Sequence, residues 1–286
     1  MDNLGKPMNQ QPPVQYSSFQ FNPQIRKYDH SNAVSMALAS GLAYETPDKI
    51  RAQALAWGFP KFKFLEGSRR ISDTQAYIIG NHSAIIVAFR GTEKKLKDWK
   101  TDLGFTKSEG PFGYVHEGFN GAFNSVVIEL TKGLFDCFDQ GQSLWITGHS
   151  LGGALATLAA ASLVEKYPAI GIEVSGVYTF GSPRVGDGTF REAFNSKLGD
   201  RTFRVVNGND LVPRVPPRVA GYKHVGSVAL INETGGISRD PNAWEQLKSR
   251  VIIQVNAELL DKEISSIARH LLDGSQGYLA ALIRQV

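Results

Sequence analysis

The chain has 286 residues, 42% of them hydrophobic and 20% charged, which is enough apolar material for a substantial core. Its formal net charge of +4 suits anionic surfaces without requiring them, and no block is basic and aromatic enough to argue for nucleic acid. A single cysteine excludes an internal disulfide, and no apolar stretch is long enough to span a bilayer.

The opening "MDNLGKPMNQQPPVQYSSFQFNPQ" is rich in Gln, Asn and Pro and reads as a loosely held arm to about residue 24. It holds no apolar run that could serve as a signal-peptide core. That fits a cytoplasmic protein, or an exported one whose leader is not part of this sequence. "AVSMALASGLAYE" predicts a small-residue helix that packs closely, and a second helix follows around "KIRAQALAWGF". "TQAYIIG" and "AIIVAFRG" read as strands flanking a tight "NHS" turn, which leaves His82 exposed. After a charged segment, "FNGAFNSVVIELTKGLFDCF" reads as one long helix. Phe123, Val126, Val127, Leu130 and Leu134 recur at helical spacing in it, so Cys137 is expected as a buried core thiol.

"SLWITG" reads as a short buried strand and "LGGALATLAAASLVEKY" as the next helix. "EVSGVYTFGSP" and "RTFRVVNGND" are further strands, separated by a polar helix after "VGDGTF". "YKHVGSVALIN" looks like one more strand, and from about Asn242 the pattern is mostly helical. Strands alternating with helices predict an α/β fold with a largely parallel sheet. With no internal repeat, low-complexity block or interior linker, a single domain over 1–286 is expected.

The chemistry centres on Gly148-His149-Ser150-Leu151-Gly152, a G-x-S-x-G match placed directly after a strand and before a helix. So sharp a turn needs glycine on both sides. It forces the serine into a strained backbone position at the carboxyl edge of the sheet, with its hydroxyl presented as a nucleophile. The first backbone N–H groups of the new helix point to the same spot and can receive an oxyanion. His149 is a poor base for Ser150, because adjacent residues on a tight turn project in different directions. In this architecture the order is serine, then acid, then histidine.

An acid should follow a strand, since sites in parallel sheets gather at the carboxyl ends. Asp200 precedes its strand, and Asp187 enters a helix that it can simply cap. Asp210 comes just after "RTFRVV", in a proline-stiffened loop, and is the stronger candidate. For the base, His270 in "ARHLLDGSQGYLAALIRQV" is preferred over His224. The latter lies within or at the start of a strand and should enter a sheet face. His30 and His116 precede the nucleophile.

Several blocks together resemble the class three lipases, the fungal-type triacylglycerol lipase family of α/β-hydrolases. "IIVAFRGTEKKLKDWKTDL" resembles the family's oxyanion strand and lid segment, "YVHEGFNGAF" its helix-entry block, and "ITGHSLGGALATLAA" its elbow. "VYTFGSPRVGD" and "RVVNGNDLVPRVPP" resemble its later strand ends, and "YKHVGSVALI" its penultimate strand, all in order over roughly residues 75 to 232. The resemblance implies an α/β-hydrolase fold, with a mostly parallel central sheet, helices on both faces and a short lid helix. It implies Ser150 as nucleophile, Asp210 as acid and a late histidine as base. The oxyanion hole would come from Thr92, through its backbone N–H and hydroxyl, and from the backbone N–H of Leu151.

In "TEKKLKDWKTDL", Leu96, Trp99 and Leu103 form a narrow apolar stripe among lysines and aspartates. A surface helix with its stripe on the core accounts for this. So does a lid over Ser150, at about residues 93–108, that opens against lipid. The resemblance favours the lid.

The expected function is therefore hydrolysis of lipid esters through an acyl-enzyme on Ser150, most readily of acylglycerols, with transient contact to a lipid interface. A phospholipase or a soluble short-chain esterase is the alternative within the same chemistry, and a non-catalytic lipid-binding scaffold the alternative outside it. No zinc spacing, Walker-type loop or dinucleotide fingerprint occurs, so no metal or cofactor is implied, and no obligate protein partner is evident.

Overall fold

Strand sequences such as "AIIVAF" and "VSGVYTF" carry almost no polar alternation, so they need cover on both faces of a sheet. The computed structural model, which describes residues 16–67, 73–91, 105–166, 171–208, 210–231, 236–240 and 277–283, supplies that cover. In chain order the strands are β1 (Lys61–Glu66), β2 (Gln75–Gly80), β3 (Ala84–Phe89), β4 (Lys107–Gly110), β5 (Gly113–His116), β6 (Ser143–His149), β7 (Val174–Phe180), β8 (Thr202–Asn207), β9 (Ser227–Ile231) and β10 (Ile237–Arg239). The α-helices are α1 (His30–Leu42), α2 (Pro47–Ala56), α3 (Glu117–Asn124), α4 (Val127–Cys137), α5 (Leu151–Glu165), α6 (Gly188–Leu198) and α7 (Tyr278–Ile283).

Among the described residues the main sheet runs β1-β2-β3-β6-β7-β8-β9-β10, and β4 and β5 pair separately as a hairpin. β3, β6, β7, β8 and β9 are parallel neighbours, while β1, β2 and β10 join antiparallel at the two edges. Successive side chains of a strand face opposite sides. Ile85, Val87 and Phe89 of β3 accordingly join a core with α3 to α6, and Ile86 and Ala88 join one with α1, α2 and α7. This is the mostly parallel sheet with helices on both faces that the α/β-hydrolase resemblance implies.

Helix α1 lies close to the sheet because its residues are small. Ala33, Ala37, Ala39 and Ser40 are all fully buried, and Ser40 Oγ meets Thr147 Oγ1 of β6 at 2.8 Å. The Asp29 carboxylate caps the helix by accepting from the Asn32 N–H at 2.8 Å.

Several expectations change. The single long helix over 118–138 is two helices. In a continuous helix the Ala122 carbonyl would accept from the Val126 N–H. Here it is taken by the hydroxyls of Ser125 (2.7 Å) and Thr74 (3.0 Å), and the Val126 N–H turns to the Phe123 carbonyl instead. The arm is docked from Tyr16 onward, with Phe19 stacked on Trp57 (ring centroids 4.1 Å apart) and Phe21 edge-on to Trp145 (5.2 Å). Strands β1, β4, β5 and β10 had no expectation. His224 lies before β9 rather than on it, because Gly226, at φ 64, turns the chain between them.

Inside β7, Gly176 lies against the buried Trp145 indole, where a Cβ would overlap the ring. Gly176→Ala should lower the unfolding free energy by about 1–3 kcal/mol through overpacking. Urea unfolding followed by tryptophan fluorescence measures this, and an unchanged midpoint would show that the indole has other room.

Candidate active site

The carboxyl ends of four adjacent parallel strands, β3, β6, β7 and β8, come together at one edge of the sheet. After β6 the chain reverses into α5 at Ser150, whose φ of 57° and ψ of −127° are sparsely populated for a residue with a side chain. The flanking residues explain how the turn is reached. A Cβ at Gly148 would strike the backbone of Gly152, one at Gly152 would strike the Phe89 carbonyl at the end of β3, and one at Gly153 would meet Ser182. The Ser150 N–H is held by the Phe180 carbonyl at 2.9 Å. Its Oγ has no hydrogen-bond partner among the described residues. Ser150 is also the N-cap position of the 15-residue α5, so the orphan N–H groups of that helix begin at Leu151 beside the hydroxyl.

At the exit of β3, Gly91 lies so close to the elbow that a Cβ there would meet the His149 carbonyl and, at 3.3 Å, the Ser150 Cβ. Thr92, next in the chain, lies outside the described residues, as do Leu96, Trp99 and Leu103. Of the span expected as a lid, residues 105–108 are described. They enter the β4–β5 hairpin, and the Tyr222 hydroxyl donates to the Phe105 and Thr106 carbonyls.

Asp210 follows β8, is 4% exposed, and has both carboxylate oxygens engaged. Oδ1 accepts from the Val212 N–H at 2.8 Å and Oδ2 from the Tyr278 hydroxyl at 2.5 Å. That hydroxyl also accepts from the Asn207 N–H at 3.0 Å. Burial, and then the charge of Asp210, push the Tyr278 phenol well above its ordinary range, so it remains a donor. The contact needs Gly181 at the exit of β7, at φ 60, because a Cβ there would intrude on Asp210 Oδ2 and the Tyr278 hydroxyl.

Ser150 follows β6 and Asp210 follows β8, with β7 between them. Two strand spacings separate their exits laterally by about 10 Å, too far for a direct bond and suited to a bridging ring. Five of the six histidines are described, and none hydrogen-bonds Ser150 Oγ. His30 Nε2 donates to the Leu282 carbonyl, and His82 is exposed on the β2–β3 turn. His116 Nδ1 accepts from the Gly118 N–H at the start of α3. His149 turns to the α1 side and shares a 3.0 Å hydrogen bond with the Tyr44 hydroxyl. Burial lowers its pKa to about 4, so it stays neutral. His224 Nε2 donates to the Pro213 carbonyl at 2.7 Å. The sixth, His270, lies outside the described residues. Of the other acids weighed, Asp187 caps α6 through the Phe190 N–H at 2.9 Å, and Asp200 is exposed beside Arg201.

The match of residues 86–220 to the class 3 lipase family model spans this edge, from β3 through the elbow to the loop after Asp210. The chain belongs to the class 3 lipase family. It is 36% identical over 177 residues to a lipase of Rhizomucor miehei, covering 58% of this chain and 47% of that one. It is 31% identical over 265 residues to a triacylglycerol lipase of Arabidopsis thaliana, covering 72% and 51%. It is 33% identical over 195 residues to a phospholipase A1 of Oryza sativa, covering 56% and 47%. The chain thus spans about half the length of the curated relatives it matches. A fungal lipase solved in complex with an inhibitor superposes with a TM-score of 0.65 at 27% identity, covering 80% of this chain and 91% of that one.

Tyr278, Tyr44 and Gly181 pack against this candidate site and were not singled out from the sequence. No local motif marks any of them; each is defined by what another part of the chain brings against it.

Two outcomes follow from these contacts. Tyr278→Phe removes a donor to a buried carboxylate and should cost about 1–3 kcal/mol of stability at neutral pH, measured by denaturant unfolding. A cost near zero would mean that Asp210 finds a replacement donor at once. Buried His149 stays neutral down to about pH 4 in the fold, whereas the unfolded chain takes up its proton near 6.5. Stability should therefore fall as pH drops from about 6.5 toward 4, by on the order of 3 kcal/mol from this residue. His149→Asn should make that decline shallower, and an equally steep one would place the proton uptake elsewhere.

Proposed function

We propose that this chain is a serine carboxylester hydrolase acting on lipid esters, acylglycerols foremost. The observation that carries this reading is Ser150, strained at φ 57 on a glycine-flanked elbow, with its Oγ unpartnered among the described residues. Asp210 stands two strands over, after β8, with both carboxylate oxygens hydrogen-bonded. The class 3 lipase relatives, named as lipases and a phospholipase A1, support the substrate class.

In this mechanism Ser150 Oγ attacks the ester carbonyl carbon while His270 takes its proton. The developing oxyanion is met by the Leu151 N–H at the head of α5 and by the N–H and hydroxyl of Thr92. Asp210, oriented by Tyr278 and Val212, holds the imidazole in the tautomer that accepts the proton. Collapse of the tetrahedral intermediate expels the alcohol, which takes the proton from His270. Water, deprotonated by the same imidazole, then frees the acid and restores Ser150. The assignment of His270 is supported by elimination, since none of the other five histidines hydrogen-bonds Ser150 Oγ. It is also supported by tethering: Tyr278, eight residues downstream, is bonded to Asp210 itself, and eight extended residues span at most about 28 Å from the Tyr278 Cα. Leu96, Trp99 and Leu103 would act as the lid, exchanging cover of the site for contact with a lipid surface.

Ser150→Ala and His270→Ala should each lower turnover of a triacylglycerol emulsion about a thousandfold or more, while folded His224→Ala retains activity. Labelling of wild-type protein by an organophosphonate should be lost in Ser150→Ala alone. A folded, active Ser150→Ala would end the proposal, and an active His270→Ala would remove that residue as base. Release of acyl chains from phospholipid in preference to triacylglycerol would move the substrate to the phospholipase reading.

A further inference from the structure

On β8, Phe203 and Val205 face the core beneath α1, so Arg204 between them faces the α6 side. Its register partners on the neighbouring strands are Thr179 of β7 and Val228 of β9. Its Nε donates to the Val225 carbonyl at 2.8 Å, in the loop joining β8 to β9. That loop and α6 border an open pocket of about 290 Å³ lined by Arg191, Arg204, Arg218, Lys223, His224 and Gly226. The volume lies just below the range of ligand pockets, roughly 300–1,000 Å³, and suits a small ion.

Among the described residues, its cations Arg191, Arg204, Arg218 and Lys223 have no ion-pair partner, whereas Arg26 and Arg201 elsewhere share Glu173. Burial, and then the charge of Arg184, lower the Arg204 pKa to about 10, with Asp240 the one opposing carboxylate. Asp240 itself is engaged by the Val228 N–H at 3.0 Å. Burial, followed by Arg204 and Arg184, pushes His224 well below its ordinary value. Arg204 is thus the desolvated cation of the group, while Arg191, Arg218 and Lys223 stand exposed at its rim. A buried charge without a close counter-charge is unfavourable, and a bound anion offsets that.

We propose that this pocket is a binding site for a tetrahedral oxyanion of the phosphate class, separate from the Ser150 site. A lone carboxylate is satisfied by one guanidinium fork. Three arginines and a lysine, arriving from a helix, a strand and a loop, instead suit several oxygens spread around a dianion. The source is either free phosphate or a phosphomonoester headgroup. His224 also bonds the Pro213 carbonyl, and Val212 bonds Asp210, so an anion seated here braces the loop that carries the acid.

The test is titration of inorganic phosphate into the full chain at constant ionic strength, read by calorimetry and thermal unfolding. Saturable one-to-one binding that raises Tm is expected. Arg204→Ala risks the fold, so the site is disrupted with the exposed pair Arg218→Glu and Lys223→Glu, checked by circular dichroism, which should weaken binding at least tenfold. Chloride giving the same Tm shift, no saturable heat, or undiminished binding by the folded double variant would each overturn the site. In a second arm, Ser150→Ala protein is floated with phosphatidylcholine vesicles with and without phosphatidic acid. Recruitment by phosphatidic acid that free phosphate competes away, and that the charge-reversed pair abolishes, identifies a headgroup. Vesicle binding unchanged by that pair, with the calorimetric site lost, identifies free phosphate.

Discussion

The close approach of α5 to the sheet governs the geometry of this molecule. Gly148 and Gly152 pack backbone against backbone, and Gly152 also lies on the carbonyl of Phe89 at the end of β3. Any side chain there would push the helix outward, and the turn between β6 and α5 would relax. With the helix held in, Ser150 has no ordinary backbone conformation open to it, and its Oγ stands at the sheet edge beside the first N–H groups of α5. The same approach packs Ala154, Leu155 and Leu158 into the core beneath, so the strain at one residue is borne by burial along a whole helix.

Behind the elbow lies a polar seam that the mechanism does not use directly but that the site stands on. Thr147 bonds Ser40 and the Met36 carbonyl, Tyr77 donates to the Ala39 carbonyl, and His149 pairs with Tyr44. Each of these buried polar groups has a partner on or just after α1, so the seam fixes how that helix sits against β6. A neutral His149 suits this position, because a charged imidazole would need a counter-ion that the seam does not offer.

Strand order then sets the spacing of the chemistry. Because β7 separates β6 from β8, Ser150 and Asp210 are held two strand spacings apart. The acid is held from two directions, by its own loop through Val212 and by the far end of the chain through Tyr278. Gly181 leaves the space in which those two segments meet.

The elbow, the position of Asp210 past its strand and the α/β order were legible in the sequence because each is a local pattern. Glycines at fixed offsets permit a turn, apolar runs mark buried strands, and an aspartate just past a strand lies at the carboxyl edge whatever the strand's neighbours are. The split between α3 and α4 was not legible, since Thr74, distant in sequence, captures the carbonyl that would have continued the helix. Nor was the docking of Phe19 and Phe21, in a segment whose composition reads as an unstructured arm until Trp57 and Trp145 are brought beside it. Tyr278 is an ordinary helix residue by pattern and becomes the support of Asp210 only when the two segments, 68 positions apart, are folded together. Arg204 is one cation in a strand until α6 and the β8–β9 loop border an open pocket with it. Local backbone and burial preferences are encoded residue by residue, and the sequence by itself determined these. Contacts between distant segments exist only once the strands have taken their order, and only the tertiary structure decided them.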